Sequence, residues 1–302
     1  MPVQLHQYAD DTQLYLGISS TSIDWQLLTL ESCTLDVFNW LTHNGLALNP
    51  SKSESIVFAN SRSKPLQLLA DTCTTVTVAG APIPVSANIK SLGVYLDRSL
   101  SFDKHVSEIA KSCYYHIRSL RHVRTSLTLD VAKTIACSIV GSRLDYCNSL
   151  FTGLSVKNLD RLQLVQNTLA RVVTNTKRSD HITPVRFNLH WLPVGSRITF
   201  KVATLTYRAR TFGQPSYRYL GSLVSTLSSS ATQHVLRSST TNRTDIPRRK
   251  TAMAQHRSFS SAASAIWNSL PLELTSSETL SIFRTDLKQR LFKLAYPDYV
   301  AE

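Results

Sequence analysis

The stretch Val3-Gln4-Leu5-His6-Gln7-Tyr8-Ala9-Asp10-Asp11-Thr12-Gln13-Leu14-Tyr15-Leu16 decides how the first part of the chain is read. Val3 and Leu5 alternate with polar residues ahead of the acidic pair, and Leu14 and Leu16 do so behind it. That period of two predicts two strands joined by a turn, a β-hairpin with Asp10 and Asp11 at its tip. Successive side chains of a strand point to opposite faces, so a turn is what brings neighbouring carboxylates toward one site. Such a pair offers the hard oxygen ligands that Mg²⁺ takes together with substrate phosphates. Asp-Asp in a turn is also ordinary turn chemistry. Aromatic-x-Asp-Asp arises by chance in roughly one chain in fifteen of this length, so the surrounding sequence has to decide between the two readings.

Outward from the hairpin, Leu27, Leu28, Cys33, Leu35, Phe38 and Leu41 fall near helical spacing between Asp24 and His43, with Gly45 as a natural stop. Three short strands are predicted next, over Glu54 to Asn60, Thr74 to Ala79 and Ser91 to Asp97, each rich in β-branched or alternating apolar residues. Beyond Ser101 the texture changes to helical periods, over Asp103 to Val123, Thr128 to Leu150, Val156 to Val173 and Ser196 to Thr211. The stretch 222–251 is rich in Ser and Thr with the basic Arg248-Arg249-Lys250, and reads as a linker. Phe259 to Trp267 and Leu280 to Phe292 then flank Pro271 as a small helical hairpin. The expectation is an α+β chain in four parts: a mixed region at 1–100, a helical region at 101–221, the linker at 222–251 and the terminal hairpin at 252–302.

Charge adds a partner class. Of the 302 residues, 1–100 hold 5 Lys/Arg against 8 Asp/Glu, net −3, and 101–302 hold 28 against 12, net +16. A polyanion, most simply nucleic acid, fits that asymmetry, as does a solvated basic surface. Five scattered cysteines without a C-x-x-C pair fit a reduced protein with no structural zinc. No secretory leader and no apolar run of membrane-spanning length is present, so the expected location is intracellular, nuclear or cytoplasmic. No Walker loop, G-x-S-x-G elbow or HExxH supports the other common enzyme classes.

Three segments in order, Tyr8-Ala9-Asp10-Asp11-Thr12-Gln13-Leu14-Tyr15, Leu46-Ala47-Leu48-Asn49-Pro50-Ser51-Lys52-Ser53-Glu54 and Ser91-Leu92-Gly93-Val94-Tyr95-Leu96-Asp97, closely resemble the later palm motifs of non-LTR, LINE-type reverse transcriptases. Leu189-His190-Trp191-Leu192-Pro193-Val194, the following Arg197-Ile198-Thr199-Phe200-Lys201, and Ile266-Trp267-Asn268-Ser269-Leu270-Pro271 resemble the downstream region of the CR1, L2 and Jockey groups. The resemblance implies a partial palm followed by a helical thumb, with Asp10 and Asp11 as Mg²⁺ ligands in two-metal nucleotidyl transfer. It implies that Lys52 protonates the leaving group, the alternative being a solvent-facing loop lysine. Leu92 and Gly93 would be a primer-grip-like segment, the alternative being a simple turn.

On the same resemblance, Lys104, Lys111, Arg118, Arg121 and Arg124 would contact the phosphates of an RNA template and DNA primer. Trp191 and Trp267 fit base stacking or core, and their apolar helical context favours core. The family supplies a third carboxylate and the fingers ahead of the Asp-Asp motif, and seven residues precede Tyr8 here. The resemblance therefore implies a truncated C-terminal part of the polymerase, inactive alone. Non-catalytic alternatives are a basic RNA- or DNA-binding protein and a module that associates with a full-length element protein.

Overall fold

The computed structural model describes residues 3–19, 22–59, 73–211, 215–224, 243–249 and 252–300. Two compact units divide the chain, Met1–His105 and Val106–Glu302. The fold is α+β, with three antiparallel strand pairs and a large helical part among the described residues.

In the first unit, β1 (Gln4–Tyr8) pairs with β2 (Asp11–Tyr15) in the register Tyr8↔Asp11, forming the hairpin expected there. Helix α1 (Ile23–His43) follows, one residue longer than its apolar period suggests. It is tied to the next strand by two side chains: Glu31 accepts from the Thr77 N–H at 3.0 Å, and the Thr34 hydroxyl donates to the Thr77 carbonyl at 3.3 Å. Thr34 is the buried residue of α1, and Trp25 stays 72% exposed.

The remaining strands form two hairpins rather than three lone strands. β3 (Thr75–Val78) pairs with β4 (Ala81–Pro84), and β5 (Asn88–Ser91) pairs with β6 (Val94–Asp97). Each turns through two residues at positive φ, Ala79 at 49° and Gly80 at 80°, then Leu92 at 46° and Gly93 at 81°. Two positive φ values match the twist that a two-residue hairpin requires. The predicted strand at Ser91 to Asp97 is thus split by a turn.

The predicted strand at Glu54 to Asn60 does not form; Ser55 makes one isolated bridge to Val85, and Asn60 lies outside the described residues. The cause sits in β4. Pro82 and Pro84 carry no N–H to offer a neighbour. The first donor available is Ser86, whose N–H reaches the Ser55 carbonyl at 2.8 Å.

The chain enters its helical part through Asp97. Its carboxylate accepts from the Ser99, Ser101 and Phe102 N–H groups and from the Ser99 and Ser101 hydroxyls, at 2.7 to 3.2 Å. Burial alone would raise this carboxyl, but those hydrogen bonds outweigh it and hold it below the usual carboxylate range. Helix α2 (Asp103–Val123) follows, and His105 on its first turn is buried.

In the second unit, α3 (Leu129–Ile135) is capped by the Thr128 hydroxyl, which accepts from the Val131 N–H. A π-helical turn at Ala136–Gly141 and α4 (Ser142–Asp145) continue it. The single long helix predicted over Thr128 to Leu150 is therefore broken. Arg197 grips the break, pairing with the Asp145 carboxylate through Nε and Nη2 and reaching the Gly141 carbonyl.

Helix α5 (Val156–Thr174) is capped by Ser155 and ends at Asn175, whose left-handed φ of 57° lets its N–H return to the Arg171 carbonyl. Then come α6 (Ile182–Asn188), α7 (Val194–Thr211) and α8 (Pro215–Ser222). After these, α9 (Ala252–Arg257), α10 (Phe259–Asn268), α11 (Leu272–Thr275), α12 (Leu280–Ala295) and α13 (Pro297–Val300) close the chain.

One core cluster gathers Leu192, Ala203, Tyr207, Trp267, Phe283 and Leu287, so α10 and α12 share a core with α7. Tyr207 and Phe283 stack at 4.4 Å. Most of the stretch read as a linker lies outside the described residues; within Arg243–Arg249, Thr244 exchanges hydrogen bonds with the Asn268 side chain at 2.8 and 2.9 Å. No described helix is long and apolar enough to cross a membrane.

Candidate catalytic hairpin and nucleic-acid interface

Asp10 occupies the second position of the β1–β2 turn and Asp11 opens β2, and both side chains are exposed. Ala9, at the first turn position, has φ 54°. A left-handed alanine costs about 1–2 kcal/mol, so the backbone that presents the two carboxylates is held in a conformation its own residue disfavours. Gln7 donates to the Ala9 carbonyl at 3.2 Å, and His6 stacks on Tyr15 at 5.4 Å across the hairpin. Among the described residues no group of three or more His, Cys, Asp or Glu is placed to hold a metal ion. The two adjacent carboxylates are nonetheless of the ligand type Mg²⁺ prefers.

Two side chains from different segments converge on β5. Gln13 of β2 donates to the Ser91 hydroxyl at 2.5 Å, and Glu54 accepts from the Lys90 N–H at 3.1 Å. All three segments with polymerase-like sequence therefore meet beside the Leu92-Gly93 turn. Sequence reasoning missed Gln13, Glu54 and Ser91 as the residues that join them. They stand inside the quoted segments, but nothing local marks a contact spanning 78 positions.

Lys52 is the exposed last residue of a single 3₁₀ turn at Pro50–Lys52, which the Asn49 side chain caps by accepting from the Ser51 N–H at 3.0 Å. Leu92 is exposed, and its backbone and that of Gly93 form the hairpin turn.

Lys111 and Arg118 lie seven residues apart on α2, so they share a face, and both are exposed with Arg121 beside them. Tyr115, 66% exposed, stands between them. Lys104, also exposed, lies over the Tyr95 ring at 5.0 Å, and Lys90 lies over the same ring at 5.5 Å. Arg124 differs in kind: it is 8% exposed, and its guanidinium donates to the Val173 carbonyl at 2.7 Å and the Leu127 carbonyl at 2.8 Å. Trp191 and Trp267 are 7% and 2% exposed and belong to the packed interior.

Three known proteins are similar to the chain. A Drosophila melanogaster protein described as a probable RNA-directed DNA polymerase from transposon X-element is 28% identical over 138 residues, 45% of this chain and 14% of that protein. One described as a probable RNA-directed DNA polymerase from transposon BS, also from Drosophila melanogaster, is 24% identical over 174 residues, 57% of this chain and 18% of its own length. The RNA-directed DNA polymerase from mobile element jockey of Drosophila funebris is 24% identical over 168 residues, 54% of this chain and 18% of its own. The chain is similar to the RNA-directed DNA polymerases of non-LTR retrotransposons. No family model and no solved structure matches it. Each of these retrotransposon polymerases is far longer than the stretch it shares with the chain, which spans 14 to 18% of it.

Proposed function

We propose that the chain is the C-terminal part of a non-LTR retrotransposon reverse transcriptase, with residues 1–100 as the later half of its palm and 101–221 as its thumb and connector. The observation that carries the reading is the meeting of the three polymerase-like segments at β5, through Gln13 and Glu54, beside a hairpin that presents Asp10 and Asp11. Similarity to three retrotransposon polymerases supports it. Asp10 and Asp11 would hold Mg²⁺, which in such a site lowers the barrier to attack by the primer 3′ hydroxyl and stabilises the leaving pyrophosphate. Lys52 stands free to solvent as a proton donor toward that leaving group. Lys111, Arg118 and Arg121, with Lys104 at the start of the same helix, bind the phosphates of an RNA template paired to a DNA primer.

Among the described residues no third His, Cys, Asp or Glu is grouped with Asp10 and Asp11 to hold a metal, so the described site by itself is not expected to extend a primer. Extension by the isolated chain that disappears in Asp10→Asn and Asp11→Asn would overturn that part of the reading.

Binding tests the rest. Four phosphate contacts on a duplex predict a log K against log salt slope near −3.6, at about 0.9 per contact, of which Lys111, Arg118 and Arg121 supply about 2.7. Changing Lys111, Arg118 and Arg121 to Gln should flatten it by that amount in an RNA–DNA duplex titration. A slope that the triple substitution leaves unchanged sinks the thumb assignment. A purely nucleic-acid-binding role without chemistry is the second reading, favoured by the net +16 of residues 101–302.

A further inference from the structure

The second unit holds an open groove of about 530 Å³ on the exposed side of α12. That helix buries Phe283, Leu287 and Leu291 in the core, and the groove is lined by the neighbouring stripe, which includes Arg284, Thr285, Lys288 and Phe292. Phe200 of α7 forms the facing wall, and His190, from the turn after α6, closes one end. His190 is held at φ 55°, its N–H returning to the Phe187 carbonyl at 2.8 Å, and in that conformation its ring stacks on Phe292 at 5.6 Å with 29° between the planes. The Arg284 guanidinium lies 6.0 Å from the Phe200 ring centroid. Arg284, Lys288 and His190 are exposed, Phe200 and Phe292 are half-buried, and the lining carries no carboxylate.

Flat ring faces beside mobile cations are the chemistry that binds unpaired nucleotides, the rings taking a base and the cations its phosphates. A rigid duplex would present phosphates but no free base face, leaving the rings idle. An acidic peptide would use the cations but not the stacked His190–Phe292 platform. Phe292 also stacks on Phe187 at 5.3 Å, so the ring left facing the groove is that of His190. We propose that this groove binds single-stranded nucleic acid, with a phosphate between Arg284 and Lys288 and the adjoining base on the His190 ring, which Phe292 backs. The groove is lined by residues of α7, α12 and the turn after α6, none of them among those assigned to the hairpin or to the α2 stripe, and the proposal does not rest on the polymerase reading.

The test uses the full chain and fluorescence anisotropy with a labelled oligouridylate of about 12 nucleotides, the matching oligothymidylate and an RNA–DNA duplex of the same length. Arg284→Gln with Lys288→Gln should weaken the single strands about tenfold and reduce the salt slope by about 0.7, the value for the one single-strand phosphate they share. Arg290→Gln with Lys293→Gln, exposed on the same helix but outside the groove, is the charge-matched control and should change affinity less than about twofold. His190→Ala should weaken single-strand binding with the slope unchanged, because stacking releases no counterions. Circular dichroism of each variant confirms that it is folded. Stronger binding of the oligouridylate than of the oligothymidylate assigns the groove to RNA; the reverse assigns it to DNA. Equal losses from the two charge pairs, no loss from the groove pair, or a groove pair that weakens the duplex as much as the single strands overturns the proposal.

Discussion

Arg124 shows how one side chain can look alike in sequence and differ in structure. Its neighbours Arg118 and Arg121 face solvent, but its guanidinium is spent on the Val173 carbonyl in the last turn of α5 and the Leu127 carbonyl just ahead of α3. Arg124→Met should therefore cost about 2–3 kcal/mol in urea unfolding, the magnitude of charged hydrogen bonds lost from buried carbonyls, and leave the salt slope of nucleic-acid binding unchanged in the folded protein. A reduced slope with normal stability would return Arg124 to the phosphate-binding set. His105 makes a pH prediction. It is buried beside Tyr95 and Phe102, and the Tyr95 N–H points to its Nδ1 at 3.5 Å. Burial pushes its pKa below the ordinary 6.5. The folded state then binds fewer protons than the unfolded state between those two values. The stability His105 contributes is present above 6.5 and is lost as pH falls through the depressed folded value. His105→Gln should flatten the pH dependence of the urea midpoint in that window; an unchanged slope would show that another group titrates there.

At the level of elements, Leu192-Pro193-Val194 has a backbone problem that α5 solves. Pro193 offers no N–H, and the groups on either side of it are taken by two glutamines: Gln166 donates to the Leu192 carbonyl and Gln163 accepts from the Val194 N–H, each at 2.9 Å. Gln163 also donates to Gln166 at 2.8 Å, so the pair acts as one unit. Gln166→Met, which keeps the volume and removes the donor, should lower stability by about 1–3 kcal/mol in thermal or urea unfolding. A variant as stable as the parent would mean that water or a rearranged Gln163 satisfies the carbonyl.

Helices α2, α5 and α12 were legible in the sequence because each buries a stripe repeating at three and four residues. The break at Ala136–Gly141 was not, because the apolar period runs through it and the Arg197 grip comes from more than 50 positions away. The β5–β6 turn was hidden because Leu92 adopts a φ that leucine seldom takes. The acidic pair of the candidate site could be read from Tyr8 to Tyr15 alone, whereas the α7–α12 groove depends on packing that brings Phe200 opposite Arg284.

For the molecule as a whole, charge follows the division into units. Residues 1–105 hold 6 Lys/Arg against 9 Asp/Glu, net −3, and 106–302 hold 27 against 11, net +16. The excess positive charge thus lies in the second unit, and the proposed attraction to a polyanion should weaken steeply with added salt. The first unit carries less net charge to keep copies apart, and its described residues form three two-stranded hairpins, in which every strand is an edge. Pro82 and Pro84, introduced above as the reason Ser55 finds one partner, act there as a guard against self-association. An edge without donors is a poor template for a strand from another copy. Pro82→Thr with Pro84→Thr would restore two N–H groups to that edge, and light scattering should then detect concentration-dependent aggregates that the parent does not form. A double variant that stays monodisperse would mean the edge is protected by something other than its prolines.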